Sequence, residues 1–319
     1  MRFILRKLLT LILTLVVISI LAFLAFQIIP GDPAILQLGE NATPENIAVL
    51  REEMGLDRPL PVRYGAWVGE LLFGDMGQSY AHGIPVRELL EDRLLITGGL
   101  MAFGFLLTVA IALPLGLLTA ERWGDTSRRS RRVLQGITTG AVQAVMAMPP
   151  LFLGLLLTFL FGATLRLFVP SEFVSFHSSL GGHLRYMLFP ALAIALPKAA
   201  MTIRLIRSAV GDELGRDYVQ TAVSRGSAPG DVLYRQILPN ILVPVVTFLT
   251  LTLIMMISDS IVIEQVFSIP GAGRLLIGAI GARDYPVVGA LVVIIATLVM
   301  TLHTLTDLIC KAIDPRITL

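Results

Sequence analysis

RDYVQTAVSRGSAPGDVLYRQILPN, residues 216–240, lies between two long apolar runs near the C-terminal end of the chain. Tyr218 and Ala222 are spaced i, i+4, with Leu214 one turn earlier and Val219 and Val223 beside them. Arg216, Asp217, Gln220 and Arg225 fill the remaining arc, so the pattern predicts a short amphipathic helix. Gly226 ends it, because glycine takes the left-handed conformation of a helix terminus at little cost. Pro229 and Gly230 then turn the chain, and Asp231 is placed to cap a second short helix that meets Leu238-Pro239. A helix this short is marginal in water and has to bury its stripe against the chain's own apolar segments or a partner. The whole polar insertion spans residues 204–240.

What flanks this insertion sets the fold class. Hydrophobic residues make up 55% of the chain and charged residues 15%, against about 25% charged in soluble domains. A spanning helix needs about 20 apolar residues. Runs that meet or approach this length occupy residues 8–29, 98–120, 137–161, 188–204, 241–263 and 287–309. The expected fold is an all-α membrane protein with six transmembrane helices. The fourth run is the shortest and contains Pro190, Pro197 and Lys198. The first follows Arg2, Arg6 and Lys7, as in a signal peptide. Its apolar stretch of about 22 residues is too long for that, and no small-residue cleavage site closes it. With the N-terminus inside, fifteen Lys and Arg fall on the cytoplasmic side and nine outside, five of the nine in one long loop. Long loops weigh little in orientation, so both termini are placed in the cytoplasm. The division expected is residues 1–97, a first span with a long acidic outer segment, and residues 98–319, a five-helix core carrying the 204–240 loop.

In the outer segment, Thr43-Pro44-Glu45 is a helix start, Ile47, Leu50 and Met54 follow at helical spacing, and Gly55 stops it. Residues 61–73 carry Tyr64, Trp67, Val68 and Leu71 on one stripe. These pieces are too short to span; they lie on the outer membrane surface, cap the bundle or dock an outside partner. The inner cluster Arg128-Arg129-Ser130-Arg131-Arg132 reads as an anchor at anionic head groups rather than a nucleic-acid site. Residues 264–286 read as a turn-rich loop, since their glycines do not complete a phosphate-binding pattern.

Several chemistries are excluded. Lys7, Lys198 and Lys311 precede Leu8, Ala199 and Ala312, so no lysine belongs to a phosphate-gripping loop. No H-E-x-x-H or G-x-S-x-G occurs, the four His lack metal-ligand spacing, and the single Cys310 cannot form an internal disulfide. No catalytic residue, cofactor or metal site is expected. Ionisable residues inside apolar runs are costly and point to function. Asp307 and Lys311 are spaced as a local i, i+4 pair. Lys198 and Asp259 sit at depths differing by ~8 Å, within reach of an extended lysine. They are candidates for a polar pathway, together with the adaptable Met256 beside Asp259.

Thr221-Ala222, Gly226 and Leu238-Pro239 resemble the E-A-A-x3-G-x9-I-x-L-P loop of ATP-binding-cassette importer permeases. Gln220 stands for Glu, Thr221 for the first Ala, and Gln236 for Ile, departures that resemble the branch carrying peptides and nickel. Pieces along the whole chain are similar to the same branch: Pro30-Gly31-Asp32-Pro33-Ala34, Gly55-Leu56-Asp57, Gly74-Asp75-Met76-Gly77-Gln78-Ser79, Phe267 to Arg274, Arg283-Asp284-Tyr285-Pro286 and Asp314-Pro315-Arg316. The resemblance implies a type I importer permease in a bacterial or archaeal plasma membrane. A second homologous permease, two cytoplasmic ATPase subunits and an extracytoplasmic binding protein would be its partners. It assigns Tyr218, Thr221, Ala222, Gly226, Leu238 and Pro239 to the ATPase-coupling loop, with short peptides as cargo. Nickel or a metal chelate is the alternative within the class. A proton-coupled secondary transporter using Lys198 and Asp259, or a membrane scaffold, is the alternative outside it.

Overall fold

The computed structural model describes residues 2–28, 32–39, 42–121, 129–167 and 172–314. Pro30, Gly31, Arg122, Arg128, Pro315 and Arg316 lie outside the described residues, as do the side chains of Arg2, Arg129, Arg131 and Arg132.

The described chain is helical nearly throughout. α1 (Arg2–Ile28) is followed by α2 (Pro33–Leu38), where Asp32 accepts the Ala34 N–H at 2.9 Å. α3 (Pro44–Glu53) starts where Thr43 Oγ1 accepts the Asn46 N–H at 3.3 Å, with proline in its first turn. α4 (Leu60–Leu72) and α5 (Val86–Glu121) come next, then α6 (Arg129–Ala147) and α7 (Pro150–Leu157), which runs on through a π-helical turn, Thr158–Thr164. α8 (Leu180–Leu214) and α9 (Asp217–Ser224) precede α10 (Pro229–Asp231). A second π-helical turn, Val232–Ile237, joins α10 to α11 (Leu238–Val266). α12 (Ala272–Gly281) and α13 (Tyr285–Ile313) complete the order.

Among the described residues five helices are long and apolar enough to cross a membrane, and a sixth crossing exists if one bent pair is counted as a single span. That pair corresponds to the expected run 137–161. It is bent by 100° between Ala147 and Pro150. Pro149-Pro150 explains the bend: proline lacks the donor for the helix ladder and drives the residue before it out of helical geometry. The expected fourth span is longer than its apolar run. α8 passes through Pro190 and Pro197 without interruption and continues past Arg204 to Leu214, so residues 204–214 belong to a helix and not to a loop. It is also the most enclosed span, with 78% of its apolar window buried, against 11% for α1. Burial supplies what composition lacked, since its neighbours can satisfy the backbone groups that the prolines free. The loop expected over 264–286 also needs correction. It contains α12, whose Ala272, Leu275 and Ala279 are buried; the glycines that suggested turns are absorbed into a helix held by tertiary packing.

The chain divides into two compact units. One joins Met1–Thr97 to Pro270–Thr304. Its core holds Val86 and Leu90 of α5, Leu275 of α12, and Val287 and Leu291 of α13. Beside it Asp284, 1% exposed, accepts hydrogen bonds from Ser79 Oγ, from the Tyr80 N–H at 3.1 Å and from the Ala81 N–H at 3.2 Å. Three donors on one carboxylate tie residues 79–81 to the start of α13.

The other unit comprises Gly98–Ile269 and Leu305–Leu319. α8 is its axis and packs against α6, α7 and α11. Gly116 lets α5 approach α8: a Cβ there would lie 2.9 Å from Ile206 Cδ1 and 3.1 Å from Ile206 Cβ. Small residues that allow close backbone approach are a usual device where helices pack without a hydrophobic driving force. The Tyr186 hydroxyl on α8 donates to the Phe267 carbonyl at the end of α11.

Candidate functional site

α9 forms where the sequence places it. Its exit is a Schellman motif: the Ser227 N–H reaches the Ala222 carbonyl at 3.1 Å, and the Gly226 N–H reaches the Val223 carbonyl at 2.9 Å. Gly226 has φ +82°, the left-handed region that the motif requires. The apolar stripe divides in two. Val219 and Ala222 are 2% and 8% exposed and join Ile206 and Val210 of α8, Ala120 of α5, and Ile241 and Val245 of α11 in one cluster. Tyr218, Thr221 and Val223 stay on the exposed side, with Gln220 and Arg225. The short helix is thus packed on the spans by one edge while the rest of its surface is exposed.

Tyr218 adds a polar fastening. Its hydroxyl donates to the Glu213 carboxylate at the end of α8 and accepts from Asn240 Nδ2 on α11 at 3.0 Å. Burial, and then the bond to Glu213, raise the Tyr218 pKa above the ordinary phenol value. Leu238 is half-buried and Pro239 exposed, at the first turn of α11. The separate second helix expected after Asp231 does not form. Pro229 takes the first helical position, Asp231 falls in the first turn, and the chain continues through Val232–Ile237 into α11 as one helical run, Pro229–Val266.

The two charges expected near a pathway do meet. Lys198 Nζ lies 2.8 Å from Asp259 Oδ2, with side-chain exposures of 8% and 18%. Met256 is fully buried and packs inside the unit. Leu251, Met255, Ser258, Val262 and Gln265, spaced along one face of α11, are exposed.

Two polar groups escaped the reading of the sequence. Arg207, counted there only as an inner-side charge, is 6% exposed and donates from Nη2 to Thr139 Oγ1 of α6 at 2.9 Å. Glu264, on α11 five residues beyond Asp259, is fully buried. Helical spacing shows which face a residue occupies but not what packs on that face.

The described chain is thus a set of long apolar helices with an internal charge pair and a short helix packed by one edge. The comparisons define the group. The family model for binding-protein-dependent transport system inner membrane components matches residues 112–319, and the model for the N-terminal part of such components matches residues 1–100. The chain belongs to this family and is an inner membrane permease component; membership implies ATPase and substrate-binding partners. The probable peptide ABC transporter permease protein y4tP of Sinorhizobium fredii is 32% identical over 315 residues, covering 99% of this chain and 98% of that protein. A putative peptide transport system permease protein of Brucella abortus is 34% identical over 317 residues, 98% of each. The glutathione transport system permease protein GsiC of Salmonella paratyphi A is 32% identical over 320 residues, 99% of each. Among solved structures, the MetNI methionine ABC transporter in inward-facing conformations has a chain that aligns with a TM-score of 0.56 at 17% identity, covering 72% of this chain and 97% of that one. That likeness establishes the type I importer permease fold.

Proposed function

We propose that this chain forms half of a translocation pathway for short peptides, beside a second homologous permease, and takes its energy from two cytoplasmic ATPase subunits. It hydrolyses nothing itself. A binding protein outside delivers the cargo. The names of the relatives favour peptides over nickel. The observation that carries the reading is the division of α9 into an edge buried at Val219 and Ala222 and an exposed edge at Tyr218, Thr221 and Val223. A helix fastened this way transmits force: a groove on an ATPase grips the exposed edge, and the buried edge moves α5, α8 and α11. Lys198 and Asp259 line the pathway, where a peptide carries charges of both signs.

The test places a charge on the exposed edge. Thr221→Arg and Val223→Asp leave the buried cluster untouched, so the chain still folds and inserts. Co-purification of the ATPase subunits is expected to fall, and uptake of a labelled tripeptide by the reconstituted transporter with it. Unchanged assembly and uptake with both variants, or uptake by this chain alone in liposomes without ATP, overturns the reading.

A further inference from the structure

α4 carries more apolar surface than its contact with α1 covers. With about 100° between successive residues, Tyr64, Trp67 and Leu71 share the face turned to α1. The Tyr64 and Trp67 rings lie 5.6 Å and 6.0 Å from the Phe23 ring, and the Tyr64 hydroxyl is 2.8 Å from Ser19 Oγ. Arg63 and Glu70 occupy one flank, where with Trp67 they line a cavity of about 970 Å³. The remaining arc has no polar side chain. It runs through Val62, Gly65 and Gly69 to Leu72 and Phe73, and Val62, Leu72 and Phe73 are 52%, 80% and 93% exposed.

The contact with Ser19 sets the depth of this arc. The apolar window of α1 ends at Ala25, and Ser19 lies six residues inside it, ~9 Å at 1.5 Å per residue. A tyrosine whose hydroxyl reaches that depth holds its own backbone near the hydrocarbon boundary. Tyr and Trp gather at that level in membrane proteins. At the same level of α1, Leu21 and Leu24 are 61% and 42% exposed, so α1 too presents apolar surface at that depth.

We propose that α4 is an interfacial helix whose free arc, ending at Leu72-Phe73, is seated in the outer leaflet of the bilayer, while its Arg63–Glu70 flank faces the aqueous cavity. The partner is a lipid surface. An amphipathic helix with one polar flank sinks about 5–10 Å into the boundary between head groups and acyl chains, which agrees with the depth of Tyr64. The helix thereby fixes the height of the outer segment on the membrane. This inference rests on α1 as a span and is independent of the cargo.

The test uses the assembled transporter in lipid nanodiscs, with Cys310→Ala as background and single cysteines for spin labelling at Val62, Leu72, Phe73 and Glu70. Collision with dissolved oxygen, which concentrates in lipid, is compared with collision with a water-soluble nickel chelate. Labels at 62, 72 and 73 are expected to favour oxygen at least about twofold, and the label at 70 to favour the nickel chelate. Nickel-dominated collision at 72 and 73 puts the arc in water and overturns the proposal. Low collision with both reagents there puts the arc against protein, a second permease or a binding protein, and overturns it equally.

Discussion

Removing one member of the Lys198–Asp259 pair is expected to cost far more than removing both. At 2.8 Å and an effective dielectric of about 20, the attraction is about 6 kcal/mol. Taking two ions out of water costs several kcal/mol each, so the pair as a whole contributes little net stability. Asp259→Asn leaves Lys198, a residue 6% exposed, without its countercharge at 2.8 Å, and losses of about 3–5 kcal/mol follow when a buried pair is broken from one side. Lys198→Met strands the carboxylate in the same way. The double variant Lys198→Met/Asp259→Leu buries no charge at the site and is expected to recover to within about 1 kcal/mol of the parent. The assay is unfolding of the purified transporter in nanodiscs, with tripeptide uptake measured on the same preparations. Single variants within about 0.5 kcal/mol of the parent would refute the reasoning, because the pair would then not persist in the membrane. If the double variant is stable but does not transport, the charges belong to the pathway; if it is stable and transports, they belong to the scaffold.

Other consequences of the structure are open to measurement. Gly226→Ala meets no atom within 4 Å of its Cβ, so its cost is backbone strain alone, about 1 kcal/mol, read as faster amide exchange over residues 217–227. Val219→Ala removes two buried carbons from the α9 anchor, about 1.5 kcal/mol, and is expected to loosen α9 in the same exchange experiment while the spans stay protected. Asp284→Ala strands the donors of Ser79, Tyr80 and Ala81 and should cost about 3 kcal/mol, visible as protease nicking near residue 80. Burial raises the Tyr80 pKa to about 12. The unfolded chain then loses that proton near pH 10 while the folded one keeps it. The contribution is constant below pH 10 and falls by up to about 1.4 kcal/mol per pH unit between 10 and 12. Tyr80→Phe should flatten that limb of a pH–stability curve.

Features governed by local chemistry could be read directly. Thr43-Pro44 starts α3, the spacing of Tyr218, Val219 and Ala222 marks α9, and Gly226 ends it, because each depends on residues within one or two turns. Features governed by packing could not. The prolines of α8 weakened its apolar signal, yet the helix holds because it is enclosed on most sides. Pro149-Pro150 stood inside an apolar run long enough to span, and length concealed the 100° bend. Which edge of α9 is buried depends on Ile206 and Ile241, which lie on two other helices. The meeting of Lys198 with Asp259 was legible only as compatible depth. The clasp around Asp284 joins residues more than 200 positions apart and left no periodic trace.

The π-helical turn at Val232–Ile237 acts as a phase adaptor. Such a turn inserts one residue into an α-helix, so the segment before it is rotated by about 100° relative to the regular helix that follows. Val232 and Leu233, at the start of the turn, are buried in the cluster with Ile206 and Val210 of α8. Deleting a single residue within the turn would restore regular winding without shortening any span. It would also swing Pro229 and the segment before it, α9 included, to a different side of the shaft while every span kept its length.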